Sequence, residues 1–269
     1  MFQTHQVDNL IYLRSDALGS GIRHGFSTRK GGVSVGALES LNLRGYLHGD
    51  KKENVEENYR RFCTAIGADA EKVVLSQQEH TDRIRVVTAD DAGKGLWRER
   101  DYHAIDGLIT DVPGMVLTVF GADCNMILLH DPVHRAVGAC HAGWRGTALG
   151  IAAKTVDAMT EHFGTDPADV RAAVGPSIGQ CCFETDDDVP HALREALGDR
   201  AAPYMERRGE KWHIDLKGIN ALWLKDAGVP VADVCRDCTM CRPELYWSHR
   251  RMGNSRGVQA AMIALEVRL

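Results

Sequence analysis

Two residues near the middle of the chain, Cys124 and His141, are of types that bind zinc or copper. Between them lie two apolar runs, Met126–His130 and Ala136–Cys140, separated by the turn signal Asp131-Pro-Val-His134. If these runs form a hairpin that turns at 131–134, Cys124 and His141 face each other directly across it. Their Cβ atoms would then lie about 5 Å apart, which suits two ligands of one zinc ion.

His141 stands directly before a glycine-rich segment, Gly143-Trp-Arg-Gly-Thr147, which opens a predicted helix with Thr147 as its N-cap. Backbone N–H groups and the helix dipole attract anions at such a start, and Arg145 adds a bidentate donor suited to phosphate. A cysteine and a histidine beside an anion site are typical of a catalytic centre. The candidate catalytic residues are therefore Cys124, His141 and Arg145.

A third metal ligand must come from another part of the chain, and His80 is the candidate. It follows a predicted buried strand at Lys72–Ser76 and lies at the end of the polar loop Gln77-Gln-Glu-His80. A histidine in such a loop is more often a surface residue than a ligand. The residues alone therefore leave this third position open.

The elements that would position these residues alternate between helices and strands. Apolar spacing predicts helices at Lys51–Ile66, from Thr147 to Gly164, at Val189–Leu197 and at Asp215–Ala227, and further strands at Met115–Phe120 and Val258–Val267. This mixture indicates an α+β fold with largely buried sheets. No linker divides the chain convincingly, so we predict one domain over residues 1–269.

The composition argues against several classes of function. The net charge of -5 offers no basic excess for a nucleic acid, so we expect no nucleic-acid partner. The first residues lack a basic segment followed by an apolar one, and no apolar stretch reaches the roughly 20 residues of a membrane span. We therefore expect a cytoplasmic protein that does not bind membranes.

The remaining cysteines are interpreted as packing residues. Eight scattered cysteines without a secretion signal argue against a disulfide framework. The run Cys235-x2-Cys238-x2-Cys241 lacks the fourth cysteine of an iron–sulfur site and the second pair of a structural zinc site. The neighbours Cys181 and Cys182 would point to opposite faces of an extended segment, so we expect them not to bind one ion together.

The chain resembles the purine nucleoside phosphorylases first described as multicopper polyphenol oxidoreductases or laccase-domain proteins. The resemblance spans nearly the whole length. Its motifs here are His24-Gly-Phe-Ser-Thr-Arg-Lys-Gly-Gly-Val-Ser34, Ser40-Leu-Asn-Leu43, Asp106-Gly-Leu-Ile-Thr110, Ala122-Asp-Cys124, His141-Ala-Gly-Trp-Arg-Gly-Thr147, Gly175-Pro-Ser-Ile-Gly179, Cys181-Cys-Phe-Glu184, Asp215-Leu216, Cys238-Thr-Met-Cys241 and Ser248-His-Arg-Arg251.

This resemblance implies a four-layer α/β/β/α fold with mixed β-sheets, and zinc, with copper as the alternative, bound by His80, Cys124 and His141. Within the same motifs we assign substrate binding to Asn42, Arg145, Arg250 and Arg251. The chain departs from the family pattern at Thr81, Met126, Phe183 and His249. Because these positions belong to the presumed pocket, they leave the preferred nucleoside open.

Three functions follow from these residues. The leading one is phosphorolysis of adenosine, inosine or guanosine with phosphate, with adenosine deamination as a related activity implied by the resemblance. The second is copper-dependent oxidation of polyphenols, against which the chain has no His-x-His pair of the kind a trinuclear copper cluster uses. In the third, Cys124 is a nucleophile with His141 as its base, in a hydrolase or amidase that edits peptidoglycan precursors.

Overall fold

The computed structural model describes residues 1–43 and 49–267, which form three β-sheets and six α-helices. The helices are α1 (Lys52–Ile66), α2 (Trp144–Ala148), α3 (Ile151–Phe163), α4 (Asp188–Leu197), α5 (Leu216–Asp226) and α6 (His249–Met252). The strands are β1 (Phe2–Val7), β2 (Leu10–Ser15), β3 (Ile22–Ser27), β4 (Val73–Leu75), β5 (Ile84–Val86), β6 (Gly107–Thr110), β7 (Val116–Gly121), β8 (Asn125–Asp131), β9 (Ala136–Ala142), β10 (Arg171–Val174), β11 (Glu184–Thr185), β12 (Met205–Arg208), β13 (Lys211–Ile214), β14 (Val231–Val234) and β15 (Gln259–Leu265). In these ranges, no helix is long and apolar enough to cross a bilayer.

The two large sheets are both mixed. The first has six strands in the order β1-β2-β3-β15-β7-β4, and only its β4–β7 pair is parallel. The second has six strands in the order β14-β10-β8-β9-β6-β5, with parallel pairs at both edges. The third sheet is small, with three strands in the order β11-β13-β12, and within the described residues it forms no strand pair with the two large sheets. The hairpin β8–β9 thus lies at the centre of the second sheet.

Alternating side chains of β8 explain how these sheets stack. Met126 and Leu128 point into a core shared with the first sheet, whereas Ile127 and Leu129 point into a core shared with helix α3. Successive residues of a strand face opposite sides, so an entirely apolar strand can be buried on both faces. The run Met126–His130 is mostly apolar because each face of this strand packs against another layer.

Helices cover the outer faces of both sheets. On the first sheet, Val55, Tyr59 and Phe62 of α1 pack against residues of β2, β7 and β15. On the second sheet, Val156 of α3 and Leu224 of α5 pack against β8, β9 and β10. The order of layers is helix, sheet, sheet and helix. The predicted α+β fold with four α/β/β/α layers is confirmed, and the core shared by the sheets supports the single domain over 1–269, which stays a prediction.

The register of the β8–β9 hairpin differs from the predicted one. His141 pairs with Met126, and the last pair of the ladder is Asp131 with Ala136, so the turn contains four residues rather than two. Cys124 consequently lies two positions from the direct partner of His141. Because side chains repeat every two residues along a strand, this shift leaves Cys124 on the same face as His141.

The predicted helix from Thr147 to Gly164 is divided. Helix α2 begins after Gly143 and ends at Ala148, and α3 begins after Gly150, whose φ of 74° is left-handed. The prediction of Thr147 as N-cap is wrong, since Thr147 lies inside α2, where its hydroxyl accepts a hydrogen bond from the Asn220 side chain at 2.9 Å. The left-handed residue turns the chain between the two helices, which a continuous apolar spacing does not reveal.

The core between the sheets should dominate stability. Leu128→Ala removes a fully buried side chain from it, and we expect a loss of about 2–5 kcal/mol in the free energy of unfolding, measured by urea denaturation. Val231→Ala, at a position 63% exposed on the edge strand β14, is the control and should change that free energy by less than about 0.5 kcal/mol. Equal losses in both variants would contradict this assignment of the core.

Candidate metal centre and active site

His80, Cys124 and His141 converge although they come from three separate segments. One ligand atom from each lies within 4.8 Å of the others. The two imidazole rings meet edge to face, with their centroids 4.9 Å apart. Two imidazole nitrogens and one thiolate at this spacing form a ligand set that zinc accepts, and they leave its fourth position to a water or a substrate.

Each of the three residues lies at the end of a strand or just beyond one. His141 is the last residue but one of β9, Cys124 directly precedes β8, and His80 lies in the loop after β4. His80 has a left-handed backbone with φ 60°, which is uncommon for a residue other than glycine. Such a conformation persists only where the surroundings fix it, and here they do so through one carboxylate.

Asp106 is that carboxylate. It is fully buried, and its Oδ1 lies 2.8 Å from His141 Nδ1 and accepts the backbone N–H of His80 at 3.1 Å. Its Oδ2 accepts the backbone N–H groups of Glu79 and Thr81, both at 3.0 Å, and the Thr81 hydroxyl at 2.9 Å. Asp106 thus orients the candidate ligand His141 directly and shapes the loop that carries the candidate ligand His80. Carboxylate–histidine pairs of this kind orient histidines that bind metals.

The charges in the centre reinforce this arrangement. Burial favours the neutral acid, but the hydrogen bonds from His141 and the loop N–H groups hold the pKa of Asp106 below its ordinary value. Burial likewise opposes protonation of His141, yet Cys124 and Asp106 together raise its pKa to about 9. The pKa of His80 is lowered by desolvation, by His141 and by Arg145. An ionised Asp106 accepts a hydrogen bond from the Nδ1–H group of His141. The other ring nitrogen, Nε2, is therefore the one that can face Cys124 or a metal.

Gly143 provides the space beside the three ligands. A Cβ atom at this position would lie 2.4 Å from His80 Nδ1 and 3.2 Å from Cys124 Sγ. Any side chain here would therefore push His80 out of the cluster. The donor types, their spacing, the carboxylate behind His141 and the side-chain-free position at Gly143 together fit a zinc ion with three protein ligands.

Arg145 lies beside this cluster, in helix α2. Its guanidinium stacks on the Trp144 ring at 4.2 Å, and its charge is one cause of the lowered His80 pKa. Among residues 1–43 and 49–267, no carboxylate forms an ion pair with it. The long predicted helix begins with this short helix of five residues, so the helix dipole contributes less than the sequence suggested, while the Arg145 guanidinium is exposed.

Arg250 and Arg251 are held near the backbone of Cys124 by Asp123. The Asp123 carboxylate accepts the backbone N–H of Arg250 at 2.7 Å and the Ser248 hydroxyl at 3.1 Å. The Arg250 side chain donates to the Glu184 carbonyl, and that of Arg251 donates to the Met240 carbonyl, both at 2.8 Å. Both guanidinium groups are exposed and retain N–H donors for an anion.

Asn42 is placed differently from the other predicted substrate residues. It is 1% exposed, its amide nitrogen donates to Asp50 at 2.8 Å, and its amide oxygen accepts the backbone N–H of Val258 at 3.2 Å. Asn42 therefore connects Asp50, two residues before α1, with Val258, the residue before β15. A contact between Asn42 and substrate stays a prediction, as do those of Arg145, Arg250 and Arg251.

Comparison with known proteins identifies the family. The sequence profile of a family described as multi-copper polyphenol oxidoreductase laccase matches residues 23–266. The chain belongs to this family. It is 34% identical to a protein of Bacillus subtilis named purine nucleoside phosphorylase YlmD, over 90% of this chain and 88% of that protein. It is also 34% identical to adenosine deaminase RL5 from an unknown prokaryotic organism, over 86% of this chain and 90% of that protein.

The fold of this laccase-like family member is shared with solved structures. The crystal structure of YlmD from Geobacillus stearothermophilus superposes with a TM-score of 0.90 at 34% sequence identity, covering 99% of both chains. The resemblance seen in the sequence is confirmed, and the relatives point to an enzyme of purine nucleoside metabolism. Despite the family's description, within the described residues only two groups of His, Cys, Asp or Glu gather closely enough to hold a metal, and neither has the many histidines of a trinuclear copper site.

Sequence reasoning did not single out two residues of this centre. Asp106 and Asp123 both lie within the recognised motifs, but neither carries a spacing that marks it as functional. Asp106 lies directly before β6 and Asp123 lies in the short connection between β7 and β8, and each buried carboxylate collects donors from segments distant in sequence. The available signal was an acidic residue next to an apolar strand, where burial without partners would be costly.

Asp106 should control metal affinity without binding the metal. In Asp106→Asn the side chain keeps its size but loses the charge that holds His141 and the His80 loop, so we expect zinc affinity to fall about 10- to 100-fold in chelator competition. Asp131→Asn is a matched control, because Asp131 is equally buried and contacts His134 Nδ1 at 3.0 Å in the β8–β9 turn. Unchanged zinc affinity in Asp106→Asn would contradict this role.

Proposed function

We propose that this protein is a zinc-dependent purine nucleoside phosphorylase that cleaves adenosine, inosine or guanosine with phosphate, with adenosine deamination as a second reaction of the same site. The observation that carries the proposal is the convergence of His80, Cys124 and His141 on one point with Asp106 behind them. The names of the relatives, purine nucleoside phosphorylase and adenosine deaminase, supply the substrate class. A cytoplasmic location is part of the proposal, because eight cysteines at scattered spacings do not form the pattern of a disulfide framework.

Zinc held by these three residues would supply Lewis acidity at an open coordination position. The protein's own contribution is to fix the ligands beforehand. Asp106 holds the His141 ring through Nδ1, while the same carboxylate holds the His80 backbone in its left-handed conformation. A centre fixed in this way requires little reorganisation when a nucleoside arrives.

The positive groups around the centre are suited to phosphate. Phosphorolysis requires a phosphate oxygen near the ribose C1′ atom and a purine that leaves with its electron pair. The charge of Arg145 is close enough to lower the pKa of His80, and its planar guanidinium, stacked on Trp144, can bind phosphate through two hydrogen bonds. The Arg250 guanidinium lies over the Phe183 ring at 5.6 Å. Arg250 adds positive charge, and the ring of Phe183 offers an aromatic surface on which a purine can stack.

One contact favours a second candidate function. Cys124, His141 and Asp106 are connected in the order of a nucleophile, a base and an orienting carboxylate, as in cysteine hydrolases. Such a hydrolase or amidase, acting for instance on peptidoglycan precursors, would need Cys124 as a free thiolate. It would not need the imidazole of His80, because His80 joins that chain through its backbone N–H, which donates to Asp106. His80 therefore separates the two candidates.

Replacing His80 tests the proposed function. Asparagine tolerates a left-handed backbone, so His80→Asn removes the imidazole and preserves the loop. We expect it to lose the zinc ion bound at this centre and to lose at least about 100-fold of the phosphate-dependent base release from adenosine and inosine. Cys124→Ala should show the same losses. His134→Asn, in the β8–β9 turn, is the control and should retain both. Metal content by elemental analysis and product release by chromatography measure these effects.

Three results would contradict the proposal. His80→Asn with full activity on an amide substrate, together with a thiol-directed probe that labels Cys124 during turnover without metal, would favour the hydrolase. Stoichiometric copper with oxygen uptake on phenols would favour the polyphenol oxidase. A wild-type protein that holds zinc yet releases no base from any of the three nucleosides would leave only a binding role.

A further inference from the structure

Four cysteines outside the proposed catalytic centre form a second cluster. The Sγ atoms of Cys181, Cys182, Cys238 and Cys241 all lie within 4.8 Å of one another. Cys241 Sγ is 3.7 Å from Cys181 Sγ and 3.4 Å from Cys182 Sγ. The sequence interpretation expected neither pair to bind an ion. The run that contains Cys238 and Cys241 lacked a second pair, and Cys181 and Cys182 were expected to point to opposite faces of an extended segment. In the folded chain, the pair Cys181 and Cys182 lies next to the pair Cys238 and Cys241.

Local backbone turns explain why neighbouring cysteines face the same point. The backbone N–H groups of Cys182 and Phe183 both donate to the Gly179 carbonyl at 2.9 Å, so this segment is a turn and not the extended strand assumed from the sequence. In the other pair, the Arg242 N–H donates to the Cys238 carbonyl at 3.2 Å. A tight turn directs the side chains of both cysteines of each pair to one side, as in Cys-x2-Cys zinc sites.

The backbone around the cluster is adapted to closely spaced sulfurs. The Gly179 N–H donates to Cys238 Sγ at 3.2 Å, a bond that stabilises a thiolate. A Cβ atom at Gly179 would lie 3.2 Å from Cys181 Sγ and 3.3 Å from Cys238 Cβ, so a larger residue would crowd both pairs. Arg251 donates two hydrogen bonds to the Met240 carbonyl, which fixes the turn between Cys238 and Cys241.

We propose that Cys181, Cys182, Cys238 and Cys241 bind one structural zinc ion. Four sulfurs placed about 2.3 Å from a tetrahedral zinc lie about 3.8 Å from one another, close to the separations found here. A disulfide would bring two sulfurs to about 2.05 Å and leave the other two unpaired. The thiols around an iron–sulfur cluster stand outside a core of several atoms and lie farther apart. This inference does not depend on the proposed catalytic function.

The position of this zinc site explains what it would stabilise. Thr239, between two of the ligands, donates its hydroxyl to Asp123 Oδ1 at 2.6 Å, and the N–H of Ile178 donates to the Asp123 carbonyl at 2.9 Å. Asp123 directly precedes Cys124 and has a left-handed φ of 88°. The two turns that carry the four cysteines therefore hold the residue next to a ligand of the other centre. Zinc would join these turns by bonds stronger than the loop contacts alone.

Counting metal ions in the full-length protein tests this proposal. Purified with reductant, the wild type should hold about two zinc ions per chain, one in each centre. Cys182→Ser and Cys241→Ser should each hold about one, as should Cys124→Ser, and Cys124→Ser combined with Cys241→Ser close to none. Cys235→Ser is the matched control, because Cys235 belongs to the same Cys-x2-Cys-x2-Cys run but lies outside the cluster, and it should retain both ions.

A second measurement on the wild type avoids variants that fail to fold. Cys181 and Cys241 are exposed, so iodoacetamide should modify them rapidly if they are free thiols. We expect them to resist modification until a chelator removes zinc, and cobalt exchanged into the protein should give the charge-transfer absorption of a tetrahedral thiolate site. Most of that absorption should persist in Cys124→Ser, whereas in Cys241→Ser it should fall to the weaker band of the single Cys124 thiolate.

Several outcomes would overturn the proposal. One zinc per chain that disappears entirely in Cys124→Ser would leave the cysteine cluster without a metal. Two zinc ions retained in Cys241→Ser would place the second ion elsewhere. Iron in place of zinc, rapid alkylation of Cys181 and Cys241 without chelator, or recovery of the four thiols as disulfides from reductant-treated protein would each contradict a structural zinc site.

Discussion

The proposed metal centre depends on the hydrogen bonds that the buried carboxylate of Asp106 accepts. A carboxylate without access to water is stable only when several donors surround it, and Asp106 obtains them from His141 and from the loop at 79–81. The donors that satisfy Asp106 also position the metal-binding candidates. His80 therefore reaches the centre because its backbone N–H is one of the groups that Asp106 requires.

Asp123 has a corresponding role on the other side of Cys124. Its carboxylate accepts hydrogen bonds from Thr239, Ser248 and the backbone of Arg250, and its left-handed backbone turns the chain into β8. Asp106 thus holds His80 and His141, while Asp123 holds the segment next to Cys124. Both draw on loops at the strand ends, while the strands themselves are fixed by the core between the sheets. Rigid strands with variable loops are a common foundation for active sites.

Local and periodic features of the fold could be predicted from the sequence. The amphipathic helix at 52–66 and the apolar strands on either side of the 131–134 turn signal lie where their side-chain patterns placed them. The register of the hairpin could not be predicted, because turns of two and four residues both satisfy the same turn residues. The error of two positions preserved the pairing of faces, so Cys124 and His141 still meet.

The sequence by itself determined which residues carry sulfur and nitrogen donors for a metal, since cysteine and histidine side chains supply them. It also determined the family, through motifs spread along the chain. Only the tertiary structure decided which candidates meet. His80 joins Cys124 and His141, and the cysteine pair at 181–182 joins the pair at 238 and 241, because sheet pairing and buried carboxylates bring distant loops together. Such contacts leave no local periodicity in the sequence, which is why spacing alone did not reveal them.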